Sequence, residues 1–245
     1  MIDLGRAIQY PFSGQNAVAK IMIGTLLTIA MVPTLLITLF MLLGYQLRVI
    51  RDVIDGDDGE LPEWNHLGED LVQGGVVFLG TLIYYLPSLI LTGLGASLLF
   101  ETLRDVNFLD FMIHHDLPDF DRVNLSMAVL TFALALIWLL LSAPLVMAAT
   151  AHYAETGQFS AFTHMLTRAD EIWEQRGAAT MLMLYLFLAG LLAQTVNAVI
   201  SSMGCLCFIS SVVQFLHLAV VWHLNGQWGR LLKSNRSVIR PLRPR

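Results

Sequence analysis

The sequence predicts an all-α polytopic membrane bundle of about five apolar helices, on three observations. Charge is scarce: 13% of the 245 residues are Asp, Glu, Lys or Arg, about half the ~25% usual in a soluble domain. Most of that charge lies in short connectors. Between them run apolar segments that reach the ~20 residues needed to cross about 30 Å of hydrocarbon. With 56% hydrophobic residues and a mean hydropathy of +0.65, one water-soluble core cannot hide such runs.

The first run, residues 21–44, carries Pro33 near its middle and either spans the bilayer or re-enters. Spans follow at about 74–100 and 125–151. The last apolar stretch, 179–224, is too long for one span at about 1.5 Å per residue. It divides at "SSMGCLC" into helices at about 180–202 and 207–225. Between residues 159 and 176, Phe159, Phe162, Leu166, Ala169, Ile172 and Trp173 recur at helical spacing, with Arg168, Asp170, Glu171, Glu174 and Arg176 between them. That pattern predicts an amphipathic helix in the membrane interface. Trp64, Trp173, Trp222 and Trp228 fall near predicted span ends, where an aromatic belt would lie. The start, "MIDLGRAIQYPF", is acidic and proline-broken and does not read as a cleavable signal.

Lys and Arg set the orientation. If residues 21–44 span, Arg6, Lys20, Arg104 and Arg122 lie on one side and the other ten on the opposite side. If they re-enter, Arg104 and Arg122 face twelve. Both arrangements place the acidic loop 45–73, the interfacial helix and the basic tail 229–245 in the cytoplasm of a cell with a plasma membrane. The tail's bases, from Arg230 to Arg245, suit anionic lipid and not nucleic acid.

Several motifs resemble a known family. "DLGRAIQYPFSG", "GYQLRVIRDVIDGDDGELPEW", "IYYLP", "AHYAETGQFSAF" and "HLNGQWGRLL" are similar to signatures of the domain-of-unknown-function family 4013, multi-pass prokaryotic membrane proteins. The resemblance implies a membrane fold and no activity.

Two constellations stand out. In the loop, Asp55, Asp57, Asp58, Glu60 and Glu63 precede Trp64. Gly56 and Gly59 break the helix, and the carboxylates are expected to hold the loop in water, facing a partner. Asp55 and Asp57 alternate as in a calcium loop, but Gly59 replaces a ligand and the closing glutamate is missing. In the last two helices, Gln194, Asn197 and Ser201 share one face and Ser210, Gln214 and His217 another. A hairpin folded between Cys205 and Leu206 pairs Gln194 with His217, Asn197 with Gln214 and Ser201 with Ser210, as a structural zipper or a polar seam for transport. His114, His115, Asp116, Asp119 and Asp121 follow no ordered metal spacing. Cys205 and Cys207 read as small packed residues, too close for an unstrained disulfide. No nucleophile–base motif, nucleotide loop or haem-ligand pair is present, and the span centres hold no charge. The expectation is a non-enzymatic scaffold or accessory subunit without cofactor or metal. It would contact membrane lipid and a cytoplasmic-face protein. The alternative is a transporter-like protein for a small solute or lipid.

Overall fold

The computed structural model describes residues 2–31, 33–34, 37–104, 122–202 and 207–239. These form helices α1 (Leu4–Gln9), α2 (Ala17–Ala30), α3 (Ile37–Asp55), α4 (Leu67–Arg104), α5 (Arg122–Thr156), α6 (Ser160–Thr163), α7 (Met165–Glu174), α8 (Arg176–Ser202) and α9 (Cys207–Ile239). A 3-10 turn, Tyr10–Phe12, follows α1. No strand occurs among the described residues. The segment "HHDLPDFD", the turn around Cys205 and the last bases of the tail lie outside them.

Among the described residues, four helices are long and apolar enough to cross a membrane: Leu67–Arg104, Val123–Thr156, Arg176–Ser202 and Phe208–Asn235. Their leucines are largely exposed, from Leu86, Leu89 and Ile90 to Leu139, Leu140, Leu141, Leu191 and Leu192. Continuous apolar surface on this scale is stable against lipid and not against water.

The first apolar run is two helices, not one span. Pro33, which lacks an N–H, lies between α2 and α3. At about 1.5 Å per residue the fourteen residues of α2 cover about 21 Å, short of the hydrocarbon thickness. The Lys20 Nζ near the start of α2 donates to the Leu61 carbonyl beyond the end of α3, at 2.7 Å. The run therefore doubles back, and Arg6 and Lys20 both contact the acidic loop.

The chain divides into two compact units, residues 1–81 with 144–245, and Leu82–Ala143. In the larger, α9 is central. Phe215, Ala219 and Trp222 pack with Ile21 of α2 and Leu42, Tyr45 and Val49 of α3. Val220, Leu224, Trp228 and Leu232 pack with Ala7 of α1, Ala148 of α5 and Ala179 and Leu182 of α8. Glycines permit the close crossings. A Cβ on Gly44 would strike the Asp70 backbone, and one on Gly74 would strike the Phe40 carbonyl, so α3 and α4 meet almost backbone to backbone. In the smaller unit, Ser88 donates to the Ala135 carbonyl (3.0 Å) and the Trp138 indole to the Tyr84 carbonyl (2.8 Å).

The tryptophans depart from the expected belt. Trp222 and Trp228 are buried in the core because α9 is central, and Trp64 is half-buried; Trp173 is 71% exposed. The amphipathic segment also differs. It breaks at His164 into α6 and α7, and Phe162 is buried against Tyr153. Leu166 and Trp173 point outward, while Arg168 turns inward and pairs with Glu171 at 2.7 Å.

Candidate functional site

The acidic loop begins where α3 stops. Gly56 adopts φ +97°, its N–H donates to the Val53 carbonyl, and the Asp57 N–H donates to the Asp52 carbonyl. This is a Schellman ending, which requires a residue tolerant of positive φ. The "DGDDG" run supplies one at the right place.

Cations from three distant segments then hold the loop. Asp58, whose side chain is 4% exposed, accepts from the Arg6 guanidinium at 2.5 Å and from the Arg230 guanidinium at 3.1 Å. Arg230 also donates to the Val53 carbonyl, completing the C-terminus of α3, where a cation complements the helix dipole. Lys233 reaches Asp55 at 2.8 Å. On the other flank Lys20, with a side chain 3% exposed, bridges Glu60 (3.2 Å) and Glu63 (3.0 Å). The backbone N–H of Gln15 donates to Glu60. Arg48 grips Asp70, in the first turn of α4, through two parallel bonds of 2.8 and 2.5 Å. A bidentate charged pair of this kind is stronger and more directional than a single contact.

Trp64 closes the loop from within. Its ring stacks on Tyr45 at 3.7 Å and 6°, and its indole donates to the Lys20 carbonyl at 3.0 Å. The Tyr45 hydroxyl donates to the Pro62 carbonyl, and Leu61 is fully buried. The expectation that carboxylates hold this segment out in water is thus corrected in part. Asp58 is buried and Glu60 and Glu63 are ion-paired, because Arg6 of α1 and Lys20 of α2 fold against the loop. Asp55, Asp57, Glu60 and Glu63 still present exposed faces. Asp52, beside this ridge, has its carboxyl pushed up to about 6, chiefly by burial and then by Asp57, against the opposing pull of Arg48 and Arg51.

The sequence reading missed the partners at the chain's two ends. The Asp3 N–H donates to the Gln227 side chain at 2.6 Å, and the Gln227 amide returns a bond to the Asp3 carbonyl at 3.0 Å. Tyr10 lies on the ring of His223, 4.4 Å between centroids. "DLGRAIQYPF" and "HLNGQWGR" therefore fold onto each other. An available signal was the surplus of acids between Asp52 and Asp70, which calls for cations from elsewhere in the chain.

The polar seam forms in a different register. Ser210 Oγ donates to Asn197 Oδ1 at 3.1 Å, and His217 lies against Gly190. The helices are offset by one turn from the expected pairing of Asn197 with Gln214 and Gln194 with His217. Gln194 and Ser201 are exposed, and Gln214 is half-buried. Among the described residues, no group of three His, Cys, Asp or Glu side chains converges as a metal site.

Among the described residues, four helices long and apolar enough to span, a shorter apolar helix and a charged clasp define an all-α helical bundle of membrane type. The family described as "Protein of unknown function (DUF4013)" matches residues 26–209, and the chain belongs to it. The two end motifs that pair in the structure lie outside the matched segment. No curated protein and no solved structure matches the chain.

Proposed function

We propose that the protein is a non-enzymatic membrane scaffold or accessory subunit. Its acidic ridge, on the cytoplasmic face of a plasma membrane, docks a basic segment of a protein partner. The observation that carries this reading is the clasp itself. Asp55, Asp57, Glu60 and Glu63 are exposed on a loop anchored by Asp58, Leu61 and Trp64. A pre-organised ridge avoids the ordering cost of a flexible acidic loop and steers a cationic partner electrostatically. The outward Leu166 and Trp173 of α7, one helix before the span that opens at Arg176, support lipid as the second partner. The alternative is a transporter-like protein for a small solute or lipid, for which the Ser210–Asn197 hydrogen bond between α8 and α9 is the supporting contact.

The test neutralises two exposed acids, Asp57 and Asp55, the latter in a surface pair with Lys233 that adds little to stability. In mild detergent, a partner should co-purify with the wild type. Its recovery should fall in Asp55→Asn/Asp57→Asn and with added salt, while the melting temperature changes little. Equal recovery from both proteins would overturn the reading.

A further inference from the structure

A cavity of about 330 Å³ lies between α1 with its 3-10 turn, α8 and α9. Three stripes at helical spacing converge on it: Ile8 and Phe12, Leu188 and Leu192, and Val213 with His217. Phe12 and Leu192 are about 60% exposed, at 61% and 62%, so the rim belongs to the same apolar surface that faces lipid along α8. The outer wall is not free to collapse inward, because Asp3 is tied to Gln227 and Arg6 to Asp58. His217 is the one polar side chain in the lining, and its Nδ1 is buried without a hydrogen-bond partner.

These features decide what fills the space. An ordered water needs two to four polar partners, and this lining offers one. An empty groove would forfeit the dispersion contacts of every wall, although hydrocarbon lies at its rim. We infer that this groove is a lipid site, holding one acyl chain of a membrane phospholipid. Such a lipid is walled by three elements and differs from the exchanging lipid around the outer leucines. The inference does not depend on the scaffold reading, since none of the exposed acids proposed to dock a partner lines the groove.

The experiment is native mass spectrometry of the full chain. The protein is extracted in mild detergent, delipidated and titrated with 1-palmitoyl-2-oleoyl-phosphatidylglycerol. One phospholipid should be retained at a collision energy that strips all others. Leu192→Trp, which fills the groove from its exposed rim, should lower that occupancy at least fivefold. Leu191→Trp, on the same helix but outside the lining, should leave it unchanged. The inference is overturned if no phospholipid survives preferentially, or if both tryptophan variants behave alike. Circular dichroism melting of each variant separates loss of the site from loss of the fold.

Discussion

Lys20 offers the sharpest test of the clasp. Its ammonium is almost fully enclosed, while its partners Glu60 and Glu63 keep 49% and 60% of their side chains exposed. The two sides of the interaction should therefore respond unequally. Lys20→Met removes the charge and leaves two carboxylates that can turn to water, so the cost is about 1 kcal/mol, near that of an ordinary hydrogen bond. Glu60→Gln/Glu63→Gln leaves a buried cation facing the Leu61 carbonyl and neutral amides, with no opposite charge. Breaking one side of a buried pair costs about 3–5 kcal/mol; allowing for the exposed glutamates, the expected loss is about 2–3 kcal/mol. Combining all three changes should recover most of that loss, a coupling of at least about 1 kcal/mol in a double-mutant cycle. The assay is reversible unfolding in mixed micelles, followed by helicity. Equal destabilisation by Lys20→Met and by the glutamine pair, or additivity in the triple variant, would refute the claim that Lys20 is desolvated.

Other consequences are open to direct measurement. Single cysteines at Gln9 and Asp57, in a chain with Cys205 and Cys207 replaced, should react with an impermeant reagent from the same side of sealed vesicles. Labelling from opposite sides would exclude the re-entrant pair. Asp52 makes stability depend on pH. Its folded-state carboxyl titrates at about 6 against 3.8 unfolded, so the folded form holds the proton more tightly, and stability falls as pH rises from about 4 to about 6. Asp52→Asn should flatten that slope and raise stability at pH 7.5 by about 1–2 kcal/mol, discounted for partial exposure; an unchanged slope contradicts the assignment. Gly44→Ala and Gly74→Ala should each cost about 1–3 kcal/mol through overpacking at the α3–α4 crossing. Gly75→Ala, with open space at its Cβ, should be close to neutral in the same thermal melts.

Much of this molecule follows from local chemistry. Runs of leucine longer than the hydrocarbon thickness can only be helices in lipid, because no other open structure satisfies its own backbone there. Gly56 after an apolar helix predicts the turn that the structure contains, since few residues accept φ +97°. Membership of the family is likewise legible in the loop motifs. Other features depend on contacts between residues far apart in sequence. Trp222 and Trp228 look interfacial by position, but become core once α9 is packed on all sides. Leu166 and Arg168 occupy the faces opposite to those a water-facing helix would choose.

The sequence alone therefore determined the solvent, the helices and where charge must surface, because each depends on neighbours within a turn or two. Tertiary structure decided that the first run returns, that Asp58 joins Arg6 to Arg230, and that Asn197 meets Ser210. Those outcomes turn on where a chain end or a helix offset of one turn places a side chain, and periodicity is the same in either register.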